Sequence, residues 1–529
     1  MTTVEASPAA LWGTDVVRDP GSGCLLYEPR PRCITDMLAG THRWADRTYL
    51  VQGERRIDFR TFLAAVPRAA GALPATKGER VMVLAYNSPE FVLALWAIWW
   101  AGLVPVLGNR WWSDHEIAHA VALTEPALVL SDRDAPAGVT NVRWRPIADL
   151  RRHYAGTGTP ADVVEPDDEL APGMVLFTSG SSGPPKAVVL AHRSVVANQH
   201  NLLSRSRLLP QTLSAETPQQ VMLACTPFFH VGGVSNLITQ LIVGGRLVMT
   251  AGRFDAGEVL ELIEREKVHR WGGVPTMAAR VLAHPDFDRR DLSSLRSFPL
   301  GGAQVPEALL ERMRAKLPQL RQRGLANTWG MTESGGFVTV AGNRDLARFP
   351  GTVGRPYPVA ELRIDDPDDS GRGEIMLRSP TVMLGYLGAD DGTVDADGWL
   401  RTGDIGRIND EGYLFLTGRA KDIVIRGGEN IACAHVERAL LAHPDVVEAA
   451  VFGLPHEDLG EELAAAVTCR AGTAPTEEEL RAFLRRRLAH FEVPTTWRIS
   501  DAPLPTLAGE KVDKKALRAE LTKDGTPCD

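Results

Sequence analysis

The chain has 529 residues, 44% of them hydrophobic, and this length exceeds one ordinary core and indicates two or more domains. Its formal net charge is -8, with acidic residues interspersed among arginines, so binding to nucleic acid or to an anionic membrane is not expected. The cysteines lack metal-ligand spacing and no signal peptide is recognised before them, which favours reduced thiols and a cytoplasmic protein. They are Cys24, Cys33, Cys225, Cys433, Cys469 and Cys528.

The run from Phe91 to Gly108 is almost wholly apolar and long enough to be considered as a transmembrane helix. However, Ser88-Pro89-Glu90 is typical of a helix start, Gly102 of a helix stop and Pro105 of a break. We therefore predict a buried helix of about three turns followed by a short strand, and no membrane span.

Short apolar strands alternate with helices through most of the chain, which favours α/β layers with largely parallel sheets. After about Arg419 the pattern changes to a compact α+β unit of about 110 residues. We therefore predict an α/β fold with a large N-terminal domain of layered sheets and helices over residues 1–418. A small mobile C-terminal domain would follow over residues 419–529, with a hinge near residues 419–423.

A loop rich in hydroxyl groups and glycine lies between two apolar runs at residues 177–186, with the sequence Phe-Thr-Ser-Gly-Ser-Ser-Gly-Pro-Pro-Lys. Its backbone N–H groups, hydroxyls and lysine can surround phosphate oxygens. A Walker A motif would need Gly-Lys-Ser/Thr opening a helix, whereas here two prolines precede the lysine, so we predict a polyphosphate loop that joins two strands. Its binding residues would be Thr178, Ser179, Gly180, Ser181, Ser182, Gly183 and Lys186.

Further motifs follow in a fixed order: Pro-Phe-Phe-His-Val-Gly-Gly at 227–233, Gly-Gly-Ala at 301–303, Thr-Trp-Gly-Met-Thr-Glu at 328–333, Trp-Leu-Arg-Thr-Gly-Asp at 399–404, Gly-Arg-Ala-Lys-Asp at 418–422, Gly-Gly-Glu-Asn-Ile at 427–431 and Gly-Glu-Lys-Val-Asp-Lys at 509–514. Together with the loop, and over roughly residues 45 to 520, this series resembles the adenylate-forming superfamily. That superfamily contains acyl-CoA synthetases, nonribosomal adenylation domains and luciferases, and the resemblance is greatest to acyl-CoA synthetases.

The resemblance implies that the protein binds ATP and Mg²⁺. Glu333 would bind Mg²⁺, Thr332 would contact the α-phosphate, Asp404 would accept hydrogen bonds from the ribose hydroxyls and Arg419 would add a charged contact. Trp329, where the family often has tyrosine, could stack on adenine. The other residues expected around the nucleotide are Gly301, Gly302, Ala303, Asn327, Thr328, Gly330, Lys421, Gly427 and Gly428.

By the same resemblance, Lys511 would catalyse adenylation by reaching the substrate carboxylate and the α-phosphate, and Lys421 would be the hinge for a later domain rotation. Lys514, Lys515 and Arg518 are better explained as a solvated helix face.

The acid would bind beside His230, which we expect to be a catalytic or pocket residue. Amino-acid-activating relatives carry an aspartate where this chain has Val231, which disfavours an α-amino acid. No cation is found between Val231 and Asn236, which weakly disfavours dicarboxylic acids. An apolar pocket for a fatty or aromatic acid is expected, formed by Phe229, His230, Gly232, Gly233, Val234, Trp271 and Val274.

Only 18 residues follow Lys511, so no fused carrier domain is expected, and coenzyme A is the default acceptor. The alternative is an adenylating enzyme of specialised metabolism that transfers to a carrier protein or an amine. Some members of the superfamily activate small inorganic acids such as nitrite, and this alternative includes such a substrate as an option. A luciferase-type monooxygenase and a non-catalytic nucleotide-binding protein are less favoured. The sequence gives no indication of oligomeric state.

Four residues depart from the family pattern. Ala187 replaces a glycine after the loop lysine, and Glu510 separates Gly509 from Lys511 where glycine usually precedes the lysine directly. Cys433 and His435 stand where proline and glutamate usually follow the Gly-Glu-Asn-Ile motif. The last two lie on the side expected to meet the acceptor.

Overall fold

The computed structural model describes residues 11–178, 185–303, 305–389, 392–419, 422–426, 429–456, 458–470, 472–473, 475–507 and 510–523. Its α-helices are α1 Phe59–Ala70, α2 Pro89–Trp100, α3 Asp114–Thr124, α4 Arg151–Tyr154, α5 His192–Ser206, α6 Val231–Ile242, α7 Ala256–Glu266, α8 Pro275–Ala283, α9 Glu307–Lys316, α10 Asn343–Arg348, α11 Cys433–Leu441, α12 Glu477–Arg485 and α13 Lys514–Lys523.

Its strands are β1 Asp15–Arg18, β2 Leu25–Glu28, β3 Thr48–Gln52, β4 Arg55–Asp58, β5 Arg80–Leu84, β6 Val104–Leu107, β7 Leu128–Ser131, β8 Arg143–Pro146, β9 Pro172–Phe177, β10 Ala187–Ala191, β11 Val221–Ala224, β12 Arg246–Met249, β13 Arg270–Trp271, β14 Phe298–Gly301, β15 Leu325–Met331, β16 Gly336–Gly342, β17 Thr352–Pro356, β18 Glu361–Asp365, β19 Gly373–Arg378, β20 Gly385–Tyr386, β21 Leu400–Ile408, β22 Leu414–Arg419, β23 Ile423–Arg426, β24 Glu429–Ala432, β25 Val446–His456, β26 Gly460–Cys469 and β27 Thr496–Ser500.

Two sheets of the large domain are mainly parallel, as the alternating pattern predicted. The first has the order β20-β10-β9-β6-β5-β7-β8. Its β9–β6, β6–β5, β5–β7 and β7–β8 pairs are parallel. The second has the order β13-β11-β12-β3-β4 and is parallel except at β3–β4. The strands of these sheets are short and rich in valine and leucine, as is usual for sheets covered on both faces.

A third sheet departs from the expected parallel arrangement. Its order is β14-β15-β16-β17-β22-β21-β19-β18, and only the β14–β15 pair is parallel. The expectation of largely parallel sheets is wrong here because short turns connect several of these strands directly, and such turns can join only antiparallel strands. This sheet supplies most of the nucleotide motifs.

The small domain has its own sheet, β24-β23-β26-β25, with β27 added beside β26. The chain leaves the third sheet at Arg419, the last residue of β22, and enters the small sheet at Ile423. Helices α11 and α12 cover one apolar cluster of this sheet, and α13 contributes Leu517 to another. The architecture is therefore a large N-terminal domain followed by a smaller α+β domain.

Helix α2 confirms the predicted buried helix. Every residue from Pro89 to Trp99 is buried, and the helix is followed by strand β6. The Ser88 hydroxyl oxygen accepts a hydrogen bond from the Phe91 N–H at 3.1 Å, so serine caps the first turn as predicted. Within the described ranges, no helix combines the length and the apolar character needed to cross a membrane.

Glu90 is the one charged residue that α2 buries, and it is 2% exposed. Arg55 donates to both of its oxygens, at 2.5 and 3.1 Å, and Arg151 Nε donates at 3.2 Å. Burial alone would raise the pKa of Glu90, but the hydrogen bonds and charges of Arg55, and then those of Arg151, lower it. The carboxylate thus joins the α2 N-terminus to β4 and α4.

We expect Glu90→Gln to lower the free energy of unfolding by about 1–2 kcal/mol at neutral pH, since it weakens charge-assisted hydrogen bonds to arginines whose side chains are 34% and 61% exposed. A lowered folded-state pKa contributes stability that is present above the unfolded-state pKa and is lost as pH falls through the folded-state pKa. The difference between the two proteins in urea unfolding should therefore shrink on acidification. Glu261→Gln, which removes an exposed pair with Arg265, is the control. A difference that stays constant with pH would contradict this account.

Candidate active site

Lys186 lies at the base of the predicted phosphate loop. Strands β9 and β10 pair antiparallel with Phe177 opposite Ala187, and the Thr178 N–H donates to the Lys186 carbonyl oxygen at 3.1 Å. The prediction that this loop joins two strands is confirmed. Ala187 is a buried first residue of β10, so an alanine fits where the family has glycine. Ser179, Gly180, Ser181, Ser182 and Gly183 lie outside the described residues, as do Lys421, Gly427 and Gly428.

Tyr386 joins this lysine to the predicted metal-binding acid. The Lys186 ammonium lies 4.4 Å from the Tyr386 ring centroid, a cation–π contact. The Tyr386 hydroxyl donates to Glu333 Oε1 at 2.8 Å. Because Tyr386 belongs to β20, which pairs with β10, the two charged groups are held relative to one sheet.

Asp404 is held from two sides. It is 6% exposed; its Oδ2 accepts the indole N–H of Trp329 at 2.7 Å, and its Oδ1 accepts Arg419 Nε at 2.8 Å. Asp404 and Arg419 are opposite each other in the β21–β22 pair. Trp329 is 5% exposed and lines the cleft, and its indole N–H orients the Asp404 carboxylate. Its stacking on adenine stays a prediction.

Lys511 reaches the glycine loop that follows β14. Gly302 has a left-handed φ of 76°, and the Lys511 Cε lies 3.6 Å from the point that a Cβ at Gly302 would occupy. Solvent reaches Lys511 through the cleft, yet the surrounding protein and then the charge of Arg419 lower its pKa, while Asp404 and Glu333 act in the opposite direction. A cation of the small domain therefore lies among the charged groups of the large domain.

The described residues predicted around the base line the cleft, namely Gly301, Gly302, Ala303, Asn327, Thr328 and Gly330. Asn327 has a buried side-chain amide that donates to the Thr352 carbonyl oxygen at 3.0 Å, so this amide holds the third sheet together. Thr332 lines the cleft beside Glu333.

On the acid side, His230 immediately precedes α6, and its ring contacts Phe229 with centroids 4.8 Å apart. Gly232 faces Phe337, and a Cβ at Gly232 would lie 3.7 Å from the Phe337 Cζ. Phe229, His230, Gly232 and Val274 all line the cleft. The structure thus brings these four predicted residues together.

Three residues predicted for the acid pocket lie elsewhere. Trp271 is fully buried in the second apolar cluster, where its indole N–H contacts Cys225 Sγ at 2.8 Å and its ring packs on Phe298. Val234 is 1% exposed and belongs to the main core. Gly233 packs against the Pro227 carbonyl, where any Cβ would clash. Trp271 and Val234 therefore lie behind the residues that line the cleft, because successive residues of a strand or helix turn face different sides.

The cleft is continuous between the two domains, with a volume of about 3780 Å³. Two residues that the sequence did not single out contribute to its arrangement: Tyr386, which holds Glu333, and Arg280, which contacts the loop of Lys511. Tyr386 lies 53 positions from its partner, and no local pattern joins such positions. The sequence Met-Leu-Gly-Tyr at 383–386 was the one local feature that could have pointed to Tyr386.

A large domain with a hydroxyl-rich hairpin loop, a paired Asp–Arg and a lysine supplied by a small domain define an adenylate-forming type of enzyme. The family model described as AMP-binding enzyme matches residues 39–387, and the model of the AMP-binding enzyme C-terminal domain matches residues 435–509. The chain belongs to the AMP-binding enzyme family.

Its relatives include CoA ligases. Feruloyl-CoA synthase of an Amycolatopsis species is 33% identical over 465 residues, which cover 85% of this chain and 90% of that protein. An indenyl-propanoyl:CoA ligase of Mycobacterium tuberculosis is 34% identical over 506 residues, covering 89% of this chain and 96% of that protein. The o-succinylbenzoate CoA synthetase of Bacillus subtilis, solved with its acyl-adenylate intermediate, superposes with a TM-score of 0.76 at 27% identity, covering 92% of this chain and 98% of that one.

Trp329→Phe should weaken AMP binding by about tenfold, because the Asp404 carboxylate loses the N–H that orients it. Calorimetric titration with AMP measures the effect. Trp144→Phe is the matched control, since its indole N–H donates at 2.8 Å to the Arg133 carbonyl oxygen away from the cleft. Unchanged AMP affinity in Trp329→Phe would show that the orientation of Asp404 does not depend on the indole.

Proposed function

We propose that this protein activates a fatty or aromatic carboxylic acid with ATP and transfers the acyl group to coenzyme A. The observation that carries the proposal is the position of Lys511 against Gly302, among Glu333, Asp404 and Arg419. The relatives named as CoA ligases support the same reaction.

In the first step a carboxylate oxygen of the acid attacks the α-phosphorus of ATP and pyrophosphate leaves, which gives the acyl-adenylate. Negative charge grows on the α-phosphate oxygens, and the Lys511 ammonium stabilises that charge. Asp404 and Arg419 orient the ribose, while Lys186 and Thr178 bind the outgoing phosphates. In the second step the thiol sulfur attacks the acyl carbon, its proton is lost to solvent, and AMP leaves.

Glu333 is the residue that would hold Mg²⁺. Its carboxylate is oriented by the Tyr386 hydroxyl and lies near the cations Lys186 and Lys511, an arrangement that fits a magnesium-bound triphosphate. When bound, the ion supplies charge compensation for the phosphates. The Bacillus o-succinylbenzoate CoA synthetase has been solved with ATP and magnesium ion.

We infer that the small domain turns before the second step, because in the observed arrangement Lys511 occupies the cleft beside Gly302. The sequence predicted the domain boundary between residues 418 and 419, but Arg419 is still part of β22, so we place the boundary just after it. The hinge is proposed at 419–423, where the chain passes from the third sheet to the small sheet. Lys421, the proposed hinge residue, lies outside the described part of the chain. The five described cysteines are unpaired, which supports the cytoplasmic location proposed above.

A carrier-protein thiol or an amine is the second candidate acceptor, also with a small inorganic acid such as nitrite as substrate. Two residues at the start of α11, Cys433 and His435, differ from the family pattern on the acceptor side, and this difference favours keeping the alternative. Cys433 is buried there, and burial raises the pKa of its thiol to about 12. His435 lies 3.9 Å from Glu492, and both residues line the same cleft.

The function is tested by pyrophosphate release from Mg-ATP over fatty, aryl and small inorganic acids, with and without coenzyme A. We expect an acid-specific signal that turns over only with coenzyme A, and a loss of adenylate formation of about 100-fold or more in Lys511→Ala. Lys515→Ala, which changes a lysine near the start of α13 shortly after Lys511, should retain activity. Release that is indifferent to coenzyme A would select the alternative acceptor, and no release with any acid would reject the proposal.

Arg280 on α8 holds the Lys511 loop to the large domain. Its Nε donates to Glu448 Oε1 and its Nη1 to Glu510 Oε2, both at 2.8 Å, and its Nη2 donates to the Leu504 carbonyl at 3.1 Å. Glu510 has a left-handed φ of 60°, a position that glycine usually fills. The departure from glycine at this position therefore supplies an ion pair between the domains that belongs to the adenylating arrangement.

Arg280→Met should slow acyl-adenylate formation by about tenfold, since two charged hydrogen bonds of this arrangement are lost. Thioester formation from supplied acyl-adenylate should be unchanged or faster, and rapid-quench assays of the two half-reactions compare them. Arg314→Met is the control, because Arg314 pairs with Glu307 at 2.7 Å within the large domain. Equal slowing of both half-reactions would contradict a role specific to one arrangement.

A further inference from the structure

Strand register turns Arg270 toward the acid side of the cleft. In the second sheet Arg270 pairs with Met222, and a bridge joins it to Ser297; all three residues line the cleft. The next residue, Trp271, pairs with Leu223 and packs in the second apolar cluster on the opposite face. Because side chains alternate along a strand, the arginine and the tryptophan point in opposite directions.

The Nε of Arg270 is enclosed, whereas its two terminal nitrogens open on the cleft. None of the three has a hydrogen bond or an ion pair with the residues that the structure describes. A buried arginine that serves the scaffold normally donates to carbonyls or carboxylates, as Arg246 does to the Glu266 carbonyl at 2.9 Å. Arg270 therefore differs from the structural arginines of the same sheet.

A second polar group faces the same place. Tyr357 is 5% exposed, and its hydroxyl has no hydrogen-bond partner among the described residues. Burial raises the pKa of Tyr357 to about 12, while the charges of Arg205 and Arg270 act to lower it. Burial likewise lowers the pKa of Arg270, partly offset by Tyr357. Tyr357 and Arg270 both line the cleft, and we take the phenol and the guanidinium together as its polar end.

Apolar side chains accompany these polar groups in the lining of the cleft, among them Met222, Pro299, Ala326 and Val340. Gly273, three residues after Arg270, accepts the Gly301 N–H at 3.2 Å and so marks the nucleotide loop. At the rise of a strand, the backbone of Arg270 lies about 10 Å further along the sheet.

We propose that Arg270 binds a second oxyanion of the acid substrate, at the end remote from the carboxyl group that is activated. The substrate class is then an aliphatic or aromatic acid with a distal carboxylate, and Tyr357 donates a further hydrogen bond to it. This inference rests on the proposed function, since it assumes that the cavity receives the acid. It replaces the expectation, drawn from the segment between Val231 and Asn236, that no cation serves such a group.

The physical reason is the geometry of a partly buried guanidinium that opens on the cleft. A carboxylate that accepts two of its N–H groups pairs with that charge in a fixed, bidentate geometry. An apolar acid of the same length would leave the guanidinium unpaired on binding. Sites built to hydrogen-bond a substrate group reject analogues that lack it much more strongly than apolar pockets reject an extra group.

The test compares adipate and suberate with hexanoate and octanoate, and para-carboxycinnamate with cinnamate, as substrates for pyrophosphate release. In the wild type we expect kcat/KM to favour the distally charged member by about 100-fold. Arg270→Met should bring this ratio near one or invert it, and Arg270→Lys should keep part of it. The exposed Arg323, at the rim of the same cleft, provides the control variant Arg323→Met. KM for ATP and thermal unfolding should be unchanged throughout, which excludes a folding defect.

Calorimetric binding of the same acids to the wild type and to Arg270→Met separates this inference from the proposed function. Binding of suberate that is lost in Arg270→Met supports the distal anion site, and if no acid releases pyrophosphate the proposed function alone fails. Conversely, turnover of apolar acids at rates equal to their charged partners, with Arg270→Met unchanged, overturns the inference and leaves the ligase standing.

Discussion

Charge must be balanced across the gap between two domains, and this requirement organises the cleft. The large domain holds the Glu333 carboxylate through Tyr386 and the Asp404 carboxylate through Trp329 and Arg419. The small domain contributes Lys511, which lies against Gly302. A triphosphate and a carboxylate repel each other in water, so they react only where cations from both sides surround them.

The third sheet explains why these residues meet. Its single parallel pair, β14–β15, sets Gly301 beside Thr328, and its β21–β22 pair sets Asp404 opposite Arg419. Backbone hydrogen bonds of the sheet fix the positions of these residues, so their side chains are held in defined orientations. In contrast, Arg280 and Lys511 reach the cleft from α8 and from a small-domain loop, and their contacts depend on how the domains lie.

Local pattern was sufficient to predict α2, the hairpin at Lys186 and the division into two domains, because each depends on neighbouring residues. Local pattern could not predict which way the side chains of β13 point, because this strand has only two residues and its register is set by pairing with β11. Trp271 was therefore assigned to the cleft, whereas its side chain lies in the core. The same lack of register information concealed Arg270. The contacts of Tyr386 and Arg280 span long stretches of sequence, and only the packed structure brings them together.

Glu510 affects the relative stability of the domain orientations. Glu510 has a left-handed backbone that a glycine would adopt without strain, and in the observed arrangement its carboxylate pairs with Arg280. The free-energy difference between orientations sets their relative populations, at about 1.4 kcal/mol for each tenfold change. On the proposed two-step reaction, a single loop position would therefore bias how long the protein stays in the adenylating arrangement, and with it the lifetime of the reactive mixed anhydride.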